Sequence, residues 1–317
     1  CGTPCWPPEP PSNHHPWYFD FNDDVVEANK AMQANYTAYW RRLPKFKPSP
    51  LLAQVQRAPY LKFRTWRTAA RLVADPSQTG QPPRLQLVTH HKSGTFLQIG
   101  ITRWLKTSLP PLCIDVDREE SPMVMPVFWR AMHYVRDPVD LIVSAYRYHQ
   151  FKWGAEIWIW GHGKLQDPQC LECDRADHRV IFDTCRRRCT FFELINRLDE
   201  TSGVVTEALH MRDSVTVMAS LMSLLGKRSD TLHLSINLFK ANHTQTCACL
   251  LRFLGLEANT TVVVAMAEAT KEVIFADHVT ADLHDNTALK AYLRNHPVWG
   301  AEFRMIKKLM QAIFRRQ

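Results

Sequence analysis

Two segments of the chain share one local pattern, which restricts the possible fold more than any other feature of the sequence. Residues 85–97 and 131–146 each run from an apolar stretch typical of a buried strand, through a short polar turn, into a stretch with helical spacing. The turns are centred on residues 92–94 and 136–138. Strands that alternate with helices need crossover connections. The pattern therefore predicts an α/β fold with a central parallel sheet flanked by helices.

Other stretches of the sequence fit the same architecture. Alternating and helical spacing predict further elements: strands over 112–117 and 231–236, and helices over 23–43, 51–73, 191–198, 206–225, 247–254 and 289–315. Pro59 and Pro297 are expected to interrupt two of these helices, and Gly255 is expected to end the helix over 247–254.

The chain of 317 residues suits one large domain with an extension. Residues 1–80 are predicted to form a Pro-rich N-terminal arm followed by a helical extension, and residues 81–317 the α/β domain. A Cys- and Trp-rich insertion at about 150–190 interrupts that domain. Because the chain starts at Cys1 rather than Met, we expect a mature or trimmed polypeptide.

The charge of the chain favours anionic ligands. The formal net charge is +8 and the isoelectric point is about 9.1, which suits a nucleotide, a polyanionic glycan or an acidic peptide. We expect no nucleic-acid partner, because the sequence contains neither zinc-finger spacing nor the aromatic signature of an RNA-binding sheet. We also expect no membrane span in this chain, because no apolar run approaches the ~18 residues that a bilayer requires.

Cysteines and glycosylation sequons indicate an oxidising compartment. The chain has nine cysteines, and N-x-S/T sequons occur at Asn35, Asn242 and Asn259. We therefore expect the Golgi lumen or the secretory pathway, with the cytoplasm as the alternative. Four cysteines lie in the insertion, and we favour two disulfides among them over a zinc site or free thiols: Cys170, Cys173, Cys185 and Cys189.

The first turn offers the groups that bind a phosphate. In a nucleotide triphosphatase loop the lysine follows the last glycine, whereas here Lys92 precedes Gly94. Gly94 lets the backbone approach a phosphate closely, the amides of residues 93–97 and the Thr95 hydroxyl can face it, and Lys92 can reach a bridging oxygen. The alternative is an ordinary strand–turn–helix with a capped start, in which His90 and His91 satisfy local polar groups.

The second turn offers a complementary set of groups. Arg136 ends a strand immediately before Asp137, a good N-cap, and Pro138, which suits the first helical position. Ser144 lies two helical turns further on, so Arg136 and Ser144 can hold one phosphate between them. The alternative is an ion pair between Arg136 and Asp140, with Ser144 as a small packing residue.

Taken together, the two segments resemble the sulfotransferases that use 3′-phosphoadenosine 5′-phosphosulfate (PAPS). The patterns that carry the resemblance are K-x-G-T-[TF] after a strand and V-R-[DN]-P-x-D-x-x-x-S-x-Y. The resemblance spans residues 84–275 and is closer to luminal, algal or bacterial members than to the cytosolic branch. It implies a P-loop-like sulfotransferase fold, PAPS as donor, 3′,5′-ADP as product and no metal. It also implies a set of donor-binding residues: Lys92, Ser93, Gly94, Thr95, Phe96, Leu97, Arg136 and Ser144.

The resemblance implies in-line transfer of a sulfuryl group to a hydroxyl or amine of a glycan, peptide or small metabolite. Lys92 is the predicted catalytic cation, since charge develops on the bridging oxygen as the nucleotide leaves. The base is expected near the end of the next strand, with Asp115 preferred to Asp117; the remaining candidates are Glu119, Glu120 and His91. Two other functions remain open, a nucleotide kinase-like P-loop enzyme and a non-catalytic polyanion-binding module on the same fold.

Overall fold

The fold was analysed in a computed structural model. The residues that it describes are 42–61, 71–72, 85–90, 92–108, 114–117, 124–125, 130–150, 180–181, 183–184, 189–256, 258–275 and 285–316. The predicted N-terminal arm and the predicted helix over 23–43, apart from its last two residues, lie outside these residues. So do His91, Glu119, Glu120 and the side chain of Phe96.

The described chain contains six strands and eleven helices. The strands are β1 (Arg71–Leu72), β2 (Leu85–Val88), β3 (Ile114–Asp117), β4 (Val124–Met125), β5 (Arg130–Val135) and β6 (Thr231–Ser235). The helices are α1 (Pro50–Val55), α2 (Thr95–Ser108), α3 (Pro138–His149), α4 (Phe191–Arg197), α5 (Glu200–His210), α6 (Arg212–Leu225), α7 (Ile236–Ala241), α8 (His243–Phe253), α9 (Thr260–Phe275), α10 (Thr287–Arg294) and α11 (Trp299–Phe314).

Four of the strands form a parallel sheet in the order β3-β2-β5-β6. β1 and β4 pair separately, also in parallel. The prediction of an α/β fold with a parallel sheet flanked by helices is thereby confirmed, whereas the P-loop-like sulfotransferase fold stays a prediction. Because β2 has β3 on one side and β5 on the other, the chain turns in opposite directions from the two central strands. Their carboxyl ends mark a topological switch point, where open α/β sheets bind their ligands.

Helices cover both faces of the sheet. Met132 and Tyr134 of β5 lie in a core shared with α2, α8 and α9, whereas Val135 lies in the core formed with α3 to α6, α10 and α11. Successive side chains of a strand point to opposite faces, so β5 is buried on both of them. The second core also contains Tyr60, whose hydroxyl donates to the Ala208 carbonyl over 2.8 Å.

Capping residues start and end two helices as predicted. Asp137 caps α3, since its Oδ1 accepts the Val139 N–H over 2.9 Å. Gly255 follows α8 in the left-handed conformation, with φ +71°. The Leu256 N–H then donates to the Leu251 carbonyl over 2.9 Å, which satisfies a carbonyl at the helix end.

Two predictions of secondary structure were wrong in part, and two helices were not predicted. The helix predicted over 206–225 is two helices that meet at Met211, beside which Arg212 donates to the carbonyls of Pro59 and Tyr60. The helical spacing of apolar residues continues across Met211, so it does not indicate that one helix ends there and another begins. Arg71 and Leu72 form a strand instead of a helix, since they pair with Val124 and Met125, a contact far along the chain. α7 and α9 had not been predicted.

We expect Gly203→Ala to destabilise the fold, because the glycine makes room for Tyr146. A Cβ at Gly203 would lie 2.7 Å from Tyr146 Oη and 2.8 Å from its Cε2, and Tyr146 is buried. Overpacking of this kind costs roughly 1–3 kcal/mol, against a gain of about 1 kcal/mol in helix propensity. Urea unfolding of Gly203→Ala beside Ser223→Ala, an exposed helical position, measures the difference. Equal stability of the two variants would contradict the packing argument.

Candidate functional site

The loop after β2 is held by its own backbone and by Ser93. The Ser93 N–H donates to the His90 carbonyl over 2.9 Å, and Ser93 Oγ accepts the His90 N–H and donates to the same carbonyl, each over 2.8 Å. Ser93 is fully buried. Its side chain therefore closes the turn and shapes the loop for the residues on either side.

Two residues of this loop have left-handed backbone conformations. Lys92 has φ +58° and Gly94 has φ +134°. A Cβ at Gly94 would lie 3.4 Å from Tyr134 Cδ1, and a residue with a side chain is disfavoured at this φ in any case. Gly94 therefore allows the chain to turn directly from β2 into α2.

The N-terminus of α2 follows this turn. Thr95 is partly exposed, whereas Leu97 is buried in the core, so Leu97 can contribute only its backbone to a ligand. The Gln98 N–H donates to the Gly94 carbonyl over 2.9 Å. The first N–H groups of a helix have no partners within the helix, and the helix dipole makes this end positive. A helix start of this kind can bind an anion.

Arg136 joins the two predicted segments. It follows β5, and its Nη1 donates to the Lys92 carbonyl over 3.0 Å, although 44 positions separate the two residues. Arg136 Nε is buried and has no hydrogen-bond partner among the described residues. Burial lowers the pKa of Arg136, while the charges of Asp140 and Asp137 act in the opposite direction. The guanidinium group thus lies at the switch point, beside the loop that follows β2.

The carboxylates near Arg136 have other cations as ion-pair partners. Asp140 Oδ1 lies 2.9 Å from Lys290 Nζ and 3.8 Å from an Arg294 nitrogen, and Asp137 Oδ2 lies 3.1 Å from Lys307 Nζ. These pairs attach the start of α3 to α10 and α11. Both aspartates close to Arg136 are therefore paired with lysine or arginine side chains of these helices.

One stripe of α3 is only partly buried, and its last residue contacts Lys92. The partly exposed residues of this helix are Asp140, Ser144 and Tyr148, spaced four apart, and such residues lie on one side of a helix. Lys92 Nζ lies over the ring of Tyr148, 2.6 Å from its centroid. Ser144 therefore occupies the middle of a stripe whose far end touches Lys92. Sequence reasoning missed Tyr148, although its spacing from Ser144 was visible.

The register of the sheet ranks the two predicted base candidates by position. Asp117, the last residue of β3, lies opposite Val88, the last residue of β2, whereas Asp115 lies opposite Gln86. Asp117 is therefore the nearer of the two to the loop that contains Lys92.

Three buried histidines form a chain across the sheet below this loop. His90 Nε2 lies 2.8 Å from His133 Nε2, and His133 Nδ1 lies 3.1 Å from His233 Nδ1. Burial lowers the pKa of His90 to about 3 and that of His233 to about 4, and it lowers the pKa of His133 well below its ordinary value. All three rings are therefore neutral at pH 7.

The tautomers of these three rings depend on one another. A neutral imidazole has one N–H donor and one acceptor nitrogen, so His133 donates to one neighbour and accepts from the other. In the alternative interpretation of the first turn, the His90 side chain satisfies local polar groups. Its partner instead lies on another strand, and neither His133 nor His233 had been singled out from the sequence.

The predicted disulfides remain predictions. Cys170, Cys173 and Cys185 lie outside the described residues. Cys189 is disulfide-bonded, with a partner that the described residues do not include. Cys247 and Cys249 carry free thiols.

Comparison with known proteins found no match to this chain among family models, curated proteins or solved structures. Among the described residues, no helix combines the length and apolar character needed to cross a membrane.

Proposed function

We propose that this protein is a PAPS-dependent sulfotransferase that transfers a sulfuryl group to a hydroxyl or amine of an acceptor in the secretory pathway. One observation carries the proposal: Arg136, far from Lys92 in the sequence, donates to the Lys92 carbonyl at the switch point of a parallel sheet. Two cations beside a helix N-terminus suit a ligand with two separate phosphate groups, and PAPS is such a ligand.

In the proposed complex, the two turns hold opposite ends of the donor. The Gly94 turn, the Thr95 hydroxyl and the first amides of α2 hold the 5′-phosphosulfate. Arg136 and Ser144 hold the 3′-phosphate, with Arg136 positioned by its hydrogen bond to the Lys92 carbonyl. A guanidinium has five donors, and one of them makes this bond. The others remain to be shared between the protein and the phosphate.

The reaction then needs one cation and one base. The bond from sulfur to the bridging phosphate oxygen breaks, a bond from sulfur to the acceptor oxygen or nitrogen forms, and the acceptor proton passes to a carboxylate. Lys92 neutralises the charge that develops on the departing 3′,5′-ADP. Asp115 and Asp117 are both retained as candidates for the base, and the register favours Asp117 on distance from the loop.

We expect Arg136→Ala to weaken the binding of 3′,5′-ADP by about 100-fold, because hydrogen bonds to charged groups contribute about 1.5–3 kcal/mol. Calorimetric titration with 3′,5′-ADP measures this loss. Arg252→Ala, which removes an exposed arginine on α8, is the matched control and should bind normally. Arg136→Lys keeps the charge without the fork of donors, and we expect intermediate affinity.

Three results of calorimetric titration with the nucleotides and glycans would contradict the proposal. Unchanged affinity of Arg136→Ala would remove the phosphate assignment. Magnesium-dependent binding of ATP in preference to 3′,5′-ADP would favour the kinase-like alternative. Binding of sulfated glycans without either nucleotide would favour the polyanion-binding module.

A further inference from the structure

Outside the loops of the candidate donor site, three potential metal ligands converge between α3 and α5. His149 is the last residue of α3, and Glu207 and His210 lie three positions apart on α5. One ligand atom from each residue lies within 4.8 Å of the others. Residues three apart face the same side of a helix, so the two α5 side chains are presented together to the end of α3.

The distances within this cluster suit a shared ion. His149 Nδ1 lies 2.9 Å from Glu207 Oε2 and 3.0 Å from Oε1, so it is almost equidistant from both carboxylate oxygens. Zinc binds imidazole nitrogen at about 2.0–2.1 Å and carboxylate oxygen at about 2.0–2.2 Å. Atoms bound to one zinc ion therefore lie about 3 Å apart or slightly more. The His149–Glu207 distances meet this requirement, and the ligand nitrogen of the partly exposed His210 lies within 4.8 Å of the other two ligand atoms.

Burial separates two members of the cluster from water. His149 and Glu207 are fully buried and paired with each other, and buried charged groups in proteins are paired or bind metal ions. The Phe191 ring closes one side, with its centroid 5.9 Å from that of His149 and 5.1 Å from that of His210. His210 is partly exposed, so solvent can reach the cluster from its side.

We propose that His149, Glu207 and His210 bind one Zn²⁺ ion, with a water molecule at the fourth position. Two histidines and one glutamate are a donor set that zinc uses in sites with three protein ligands. The ion joins the carboxyl end of α3 to α5 and so fixes the helix that carries Ser144 and Tyr148. The proposal does not depend on the proposed sulfotransferase function.

The test uses the purified full chain, stripped with a chelator and titrated with Zn²⁺ and Co²⁺. We expect one equivalent of Zn²⁺ to raise the melting temperature of the wild type, and Co²⁺ to give visible absorption bands without thiolate charge-transfer bands. His210→Ala should lose both responses, whereas His243→Ala, on α8, should keep them. Glu207→Gln should also lose both, but its buried position makes His210→Ala the decisive variant.

Three outcomes would overturn the zinc proposal. The first is a wild type that takes up no zinc, which would leave an ordinary hydrogen-bonded His–Glu pair. The second is an equal thermal shift in wild type and His210→Ala. The third is thiolate charge transfer with Co²⁺, which would place the ion on cysteines. Titration with 3′,5′-ADP in the same preparations reports separately on the donor site, so failure of one proposal does not imply failure of the other.

Discussion

Lys92→Ala is expected to lower the rate of sulfuryl transfer by about 10²- to 10³-fold, the loss typical when one preorganised group that stabilises developing charge is removed. Lys92 has a left-handed backbone and its ammonium lies over the ring of Tyr148; the proposed reaction assigns the charge-stabilising role to this ammonium. Alanine keeps a Cβ in the same conformation, so the backbone strain changes little. The affinity for 3′,5′-ADP should fall less than the rate, because this product lacks the transferred group.

The measurement is transfer of labelled sulfate from PAPS to a panel of glycans, tyrosine-containing peptides and small alcohols and amines. Lys227→Ala is the matched control, since Lys227 is exposed and precedes β6, toward the amino ends of the parallel strands, whereas Lys92 follows the carboxyl end of β2. Lys92→Arg keeps a cation and should retain part of the activity. If Lys92→Ala transfers sulfate at close to the wild-type rate, Lys92 does not have the role assigned to it.

The second large effect is acid sensitivity, with the free energy of unfolding falling by on the order of 5 kcal/mol between pH 7 and pH 4.5. His90, His133 and His233 have folded-state pKa values below the ordinary value of 6.5. Below pH 6.5 these histidines bind protons in the unfolded chain, whereas in the folded chain they stay neutral. The stabilisation is therefore complete above pH 6.5 and is lost as the pH falls toward 4. His90 and His233 account for about 2–3 kcal/mol each at pH 4.5, and His133 acts in the same direction.

Urea unfolding at several pH values between 4.5 and 7.5 tests this expectation. In His233→Gln one titrating ring is replaced by a neutral amide, so the slope against pH should fall by about 1.4 kcal/mol per pH unit. His243→Gln is the control; burial also lowers the pKa of His243, but this residue is partly exposed, so its effect should be smaller. A slope that is identical in the wild type and His233→Gln would refute the assignment.

The local parts of the fold were predictable because their causes are local. The spacing of Leu97, Ile101 and Trp104 predicted α2, and Asp137 with Pro138 predicted the start of α3, since capping and apolar spacing involve residues close in the chain. The pairing of Arg71 with Val124 was not predictable in this way. It depends on which segments become neighbours after the sheet has formed.

The candidate site likewise has features that the sequence predicted and features that only the tertiary structure showed. From the sequence alone came the parallel α/β class, the Gly94 turn, and Lys92 and Arg136 as cations at two strand ends. Only the tertiary structure decided that Arg136 bonds to the Lys92 carbonyl, that Tyr148 lies under the Lys92 ammonium, and that three histidines line up across neighbouring strands. The physical reason is that strand order and register bring distant residues together, and local periodicity contains no information about either of them.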